Sequence, residues 1–146
     1  MNSEQTRTTA ERPADVVTGL YAALGRGDVA GVLARLAPEV VVDEPAPLPW
    51  GGVHQGSEVF VRSVLGAMMS YAAVAVTEAE VFEGPTGVVG VLTGTLTAHT
   101  TGEAFPLTMV ERHEVADGLV RRIDVYTKDP QELAAFFARS EPGIAL

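Results

Sequence analysis

Three observations predict an α+β domain, with helices gathered on one face of a curved antiparallel sheet. Apolar residues recur at helical spacing through the first part of the chain, the period changes to two from Tyr71 onward, and turn dipeptides then divide the second half into strands. With 146 residues the chain suits one domain. A chain of that size buries roughly 68–70% of the surface its unfolded form exposes, enough for a real core. The polar, aperiodic stretch 1–12 reads as a mobile tail and 13–146 as the single domain. Charges within the tail cancel (Glu4 and Glu11 against Arg7 and Arg12), so the folded part carries the whole formal charge of −9.

Pro13 opens the first helix, with Val16, Val17, Leu20, Tyr21 and Leu24 on one face and Gly25 to Gly27 ending it. Asp28 caps a short second helix whose inner face carries Val29, Val32, Leu33 and Leu36 and which Pro38 ends. Glu39 to Glu44 reads as a short strand, and Pro45, Pro47, Pro49, Gly51 and Gly52 force an irregular loop holding Trp50 and His54. Ser57 is the expected N-cap of a third helix with Val61, Val64, Leu65 and Met68 apolar. The strands expected next are Tyr71 to Glu83, Val88 to Thr100, Leu107 to Val115 and Leu119 to Lys128, separated by Gly84-Pro85, Thr101-Gly102 and Asp117-Gly118. Asp129-Pro130 starts a terminal helix with Leu133, Phe136 and Phe137 apolar.

Composition narrows the function classes. The chain has no cysteine, which removes disulfides, thiolate metal sites and cysteine nucleophiles. Ten Lys and Arg against nineteen Asp and Glu make it repel phosphate backbones, so no nucleic-acid partner is expected. No apolar run reaches the roughly 18 residues of a membrane span, and no secretory leader is expected. A cytoplasmic protein without membrane contact is predicted. The sequence holds no Gly-x-Ser-x-Gly elbow, phosphate loop or dinucleotide fingerprint. His54, His99 and His113 show no zinc spacing, so neither a metal nor a cofactor is expected.

The Asp117-Gly118 turn supplies the sharpest chemical expectation. If these are the central residues of a two-residue hairpin turn, opposed residues have numbers summing to 235. Glu111 then faces Asp124, His113 faces Arg122 and Met109 faces Tyr126, all on one face. Opposed carboxylates repel, so one pKa rises and the pair becomes fit to donate a proton, with His113 a second titrating group beside it. Two alternatives stand beside this reading. Arg112, Arg121 and Arg122 can neutralise the same carboxylates as ordinary surface pairs, and a three-residue loop would change the register. Glu44, at the end of its strand, is a candidate general base or a solvated strand end. Trp50 and His54 lie in a loop expected to form a lid or rim, where a lone Trp also reads as a packing anchor, while Tyr21 and Tyr71 read as core or wall residues. His99 lies near a turn whose length decides its face.

The stretches LYAALGRGDVAGVLARLAPEVVVDEP, LPWGGVHQGSEVF and VERHEVADGLVRRIDVY resemble the SnoaL-like branch of the nuclear transport factor 2-like superfamily. Ketosteroid isomerases, polyketide cyclases and limonene epoxide hydrolases belong there too. The resemblance spans residues 13 to 139 and implies a cone-shaped α+β barrel: a strongly bent sheet packed on three N-terminal helices, with a pocket at the wide end and a homodimer through the sheet's outer face. It further implies that Glu44-Pro45 matches the Asp-Pro of the isomerases' base, Glu111 their hydrogen-bond-donating Asp, and Asp124 the last-strand acid of the cyclases and epoxide hydrolases. The isomerases' helix-1 tyrosine falls at Leu20, one residue from Tyr21, and the epoxide hydrolases' Arg-x-Asp finds only Thr and Gly around Leu92 to Thr97.

The function these readings favour is a cofactor-independent acid–base enzyme acting on a small, largely apolar oxygenated metabolite, by isomerisation, cyclisation or epoxide opening in secondary metabolism. Glu44, Glu111, Asp124 and His113 are the catalytic candidates. Trp50, His54, Tyr71, His99 and Tyr126 are the substrate-binding ones. The alternative is a non-catalytic domain of the same fold that binds a hydrophobic ligand or serves dimerisation.

Overall fold

Six strands form one curved, unclosed sheet in the order β2-β1-β6-β5-β4-β3. The structure, a computed structural model, describes residues 11–142; the expected tail falls outside the described residues except for Glu11 and Arg12, which are exposed and precede the first helix. Along the chain come α1 (Pro13–Arg26), α2 (Val29–Arg35), β1 (Leu36–Glu44), β2 (Gly52–Gln55), and α3, built of Ser57–Val59, Phe60–Leu65 and Gly66–Tyr71. They are followed by β3 (Ala72–Glu83), β4 (Val88–Ala98), β5 (Ala104–Ala116), β6 (Leu119–Thr127) and α4 (Pro130–Arg139).

The helices form where the apolar spacing places them. α1 starts at a proline whose missing N–H costs nothing there, ends on left-handed Gly27, and buries Val16, Val17, Leu20 and Ala23. Asp28 caps α2 by accepting from the Gly31 N–H, and Asp129 caps α4 by accepting from the Glu132 N–H. α3 is entered through Gly56, and Ser57 is its first residue rather than its cap. Its middle turn, Phe60–Leu65, is π-helical.

Other boundaries differ from expectation for local reasons. α2 stops at Arg35, and β1 begins at Leu36 with Pro38 inside it. Proline cannot donate to a ladder, and the pairing of β1 with β6 is irregular between Leu36 and Val41, where Pro38 sits. β2 lies in the stretch read as irregular loop; it pairs antiparallel with β1, Val42 opposite His54. The pairing of β1 with β6 is parallel, so the sheet continues past the four-strand meander.

The β5–β6 hairpin corrects the expected register. Asp117 and Gly118 have φ of 55° and 75°, as a two-residue turn requires, and Ala116↔Leu119 and Val115↔Val120 follow the sum of 235. The next pair is Glu114↔Arg122, so Arg121 is an extra residue in a bulge. Beyond it His113 faces Ile123, Arg112 faces Asp124, and Glu111 faces Val125. Glu111 and Asp124 are therefore not opposed; they stand on opposite faces of the sheet.

The core lies between the inner sheet face and the helices, and includes Leu20, Val42, Trp50, Phe60, Leu96, Ile123, Phe136 and Phe137. Among the described residues no helix is long and apolar enough to cross a membrane.

Candidate active site

The register places a row of residues across the inner face. Gly90 on β4 pairs with Glu111 on β5, Glu111 pairs with Val125 on β6, and Glu44 follows Asp43, which pairs with Asp124. Glu44, Val125, Glu111 and Gly90 thus lie side by side across four strands. The row below contains Val42, Ile123, His113 and Val88. Tyr21 on α1 comes down onto this surface over Gly90, where an added Cβ would collide with the Tyr21 hydroxyl. The glycine makes the close approach of helix to strand possible.

Tyr21, Glu111 and His113 form one polar cluster in this apolar interior. The Tyr21 hydroxyl donates to Glu111 Oε1 at 2.9 Å and lies 3.5 Å from His113 Nε2. His113 is fully buried, and its Nδ1 is 3.0 Å from the Val88 carbonyl. A carbonyl only accepts, so Nδ1 carries the proton and Nε2 faces Tyr21 and Glu111. Glu111 Oε1 is 3.7 Å from that Nε2. Burial, then the charge of Glu111 and its hydrogen bond, raise the Tyr21 pKa far above its ordinary value, so the phenol keeps its proton.

Glu44 is 5% exposed, and its pKa is raised from 4.5 to about 8. Burial is the largest cause, the charge of Glu111 the second. The Trp50 indole N–H is near enough to pull the other way, yet Glu44 Oε1 and Trp50 Nε1 are both buried without a hydrogen-bond partner among the described residues. Trp50 is held in place from both ends. Its carbonyl accepts from His54 Nε2 at 2.7 Å, and its ring packs edge-on against Phe137 and Tyr71 at 4.7 and 6.0 Å.

A cleft of about 420 Å³ reaches Glu44 from outside, lined also by Pro45, Pro47, Asp124, Tyr126 and Pro130. A larger hollow of about 500 Å³, between the start of α1 and the β3–β4 turn, contains no member of the cluster.

The candidates read from sequence therefore separate. Glu44, Glu111, His113 and Trp50 come together inside the fold. His54 and Tyr71 support Trp50. Asp124 points to the outer face, where Arg122 binds its carboxylate at 2.9 Å, and the exposed Tyr126 stands at the outer rim of the cleft. His99 is exposed at the β4–β5 turn and donates to the Met69 carbonyl at 2.8 Å. Tyr21, read as core or wall, is the residue that sequence reasoning undervalued. Its signal is Gly90, a glycine inside a strand, which marks a close approach by something large.

The SnoaL-like domain family matches residues 17–123. The chain belongs to the SnoaL-like family. No curated protein matches it. Solved structures place this SnoaL-like chain in a wider fold group. A nuclear transport factor 2-like protein of Burkholderia thailandensis is similar over 86% of this chain and 97% of its own, at 23% identity and a TM-score of 0.78. A protein of Xanthomonas campestris provisionally described as a polyketide cyclase is similar over 84% of this chain and 94% of its own, at 26% identity and a TM-score of 0.71. TerC, co-crystallised with polyporic acid, shares the fold over 87% of this chain and 99% of its own, at 19% identity and a TM-score of 0.72.

Proposed function

We propose that this SnoaL-like protein is a cofactor-independent acid–base enzyme that enolises a small, largely apolar carbonyl compound. One observation carries the reading: the Tyr21–Glu111–His113 cluster and the buried Glu44 share one inner surface, with burial raising the Glu44 pKa to about 8. Glu44, once ionised, takes a proton from the carbon beside the carbonyl. Tyr21 turns its hydroxyl from Glu111 to the carbonyl oxygen, and Glu111 and His113 hold the phenol and the returning proton in place. The apolar walls (Val42, Ile123, Val125, Leu92) strengthen each of these interactions by excluding water. The enolate so formed serves isomerisation or aldol-type cyclisation equally. The polyketide cyclase description of the Xanthomonas relative favours the second. Asp124 has no part in the proton transfer, because it faces Arg122 on the other side of the sheet. The reading also places the protein in the cytoplasm as a homodimer through the sheet's outer face, where Phe82 and Tyr126 are exposed.

The test needs no knowledge of the natural substrate. With 2-decalone in D₂O, the protein should accelerate exchange of the α-protons, followed by proton NMR. Glu44→Gln should lower that rate by roughly 10²–10⁴-fold, the range of positioned proton transfer. Saturable binding without exchange above the buffer rate would overturn the enzyme reading in favour of a ligand-binding domain.

A further inference from the structure

We infer that Glu44 and Trp50 form a second polar subsite, one that takes a hydroxyl group of the ligand. The inference deepens the carbonyl reading, since it gives the substrate a second oxygen. It rests on two atoms. Among the described residues Trp50 Nε1 and Glu44 Oε1, a donor and an acceptor in residues only 4% and 5% exposed, have no hydrogen-bond partner; Arg35 Nε, in a half-buried residue, is the third such atom. Leaving a buried donor or acceptor unmade is costly, and here both kinds occur in two residues close enough for the Trp50 N–H to act on the Glu44 carboxyl. One hydroxyl satisfies both, its hydrogen given to Glu44 and its lone pair accepting from the indole. Above about pH 8, where Glu44 is ionised, an ether or a second carbonyl accepts only and leaves the carboxylate unmet.

The position of the pair is fixed independently of any ligand. His54 holds the Trp50 carbonyl at 2.7 Å, and Tyr71 and Phe137 clamp the ring. The indole N–H therefore cannot swing away to solvent without breaking the aromatic packing. Tyr21 is already engaged with Glu111, so the two polar groups of the interior are separate: one built on α1 and β5, the other on the end of β1 and its loop. A substrate that satisfies both is a hydroxy-carbonyl or an enolised dicarbonyl compound with an apolar frame between its oxygens.

Two single-oxygen probes on one frame separate the subsites: 2-decalol for the hydroxyl and 2-decalone for the carbonyl. Trp50 is the sole tryptophan, so the wild-type protein gives one indole N–H signal in ¹⁵N NMR. At pH 9, with Glu44 ionised, saturating 2-decalol should move that signal downfield, and 2-decalone should not. In Trp50→Phe, which keeps an aromatic ring between Tyr71 and Phe137, the decalol-to-decalone affinity ratio should fall about tenfold, the worth of one buried hydrogen bond. In Tyr21→Phe the same ratio should rise. The proposal is overturned if the indole signal stays in place at saturating decalol, if the ratio in Trp50→Phe stays within about twofold of wild type, or if decalol does not bind at millimolar concentration; the pair then holds only an ordinary buried water. Failure of 2-decalone to bind, with decalol binding and weakened in Trp50→Phe, would sink the carbonyl reading and leave the hydroxyl subsite standing.

Discussion

At the residue scale, Tyr21 and Gly90 act as one device. The hydroxyl reaches Glu111 only because position 90 has no side chain. Tyr21→Phe removes the hydroxyl and leaves the ring edge against His113, 5.7 Å between centroids. It should lower 2-decalone α-proton exchange about 10²–10³-fold, as loss of one oxyanion donor does, and cost about 1–3 kcal/mol because Glu111 loses its donor. Gly90→Ala should lower exchange to a similar level by displacing that hydroxyl. It should also cost about 1–3 kcal/mol in a denaturant melt, because the added methyl overpacks the helix–strand contact. If Gly90→Ala retained full exchange, the placement of Tyr21 would be wrong.

The β5–β6 hairpin is the element that decides which carboxylates meet. Its turn was legible in Asp117-Gly118, and the first two pairs follow from it. The bulge at Arg121 was not legible, because a bulge depends on twist and on packing against β1 rather than on any turn residue. One extra residue moved Asp124 and Tyr126 outside and left Ile123 and Val125 within. Alternation read from β6 itself held the clue, since Ile123 and Val125 are its apolar period-two pair. Deleting Arg121 should leave Glu111 inward and cost below about 2 kcal/mol, because the pairs on both sides of the bulge stay in phase. Deleting Ile123 instead turns Asp124 toward the core and should give a chain that shows no cooperative melt by circular dichroism. The terminal helix α4 was legible through Asp129-Pro130 and its apolar spacing. Its partners were not, since the contact of Phe137 with Trp50 joins residues 87 positions apart. Phe137→Ala should destabilise the fold by about 3–5 kcal/mol and free the Trp50 ring, read as a red shift of its fluorescence.

At the scale of the molecule, composition and periodicity predicted the α+β class, the resemblance of three stretches implied the family, and the structure adds how the inner face gathers charge. Burying Glu44 sets a pH dependence for the whole fold. Its pKa is near 8 folded and 4.5 by ordinary standards, so the folded protein holds the proton more tightly. Glu44's contribution to stability is then complete below about pH 4.5, falls as pH rises toward 8, and levels off above it. The loss amounts to roughly 3–5 kcal/mol, and Glu44→Gln should abolish it in denaturant melts from pH 4 to 9. The most direct measurement is a ¹³C-carboxyl NMR titration of Glu44 in the wild type and in Glu111→Gln. A buried base facing Glu111 across the sheet should titrate near 8, and should fall in the variant without reaching 4.5, since burial is the larger cause. A Glu44 that titrates near 4.5 and ignores position 111 would contradict both the site and the chemistry built on it.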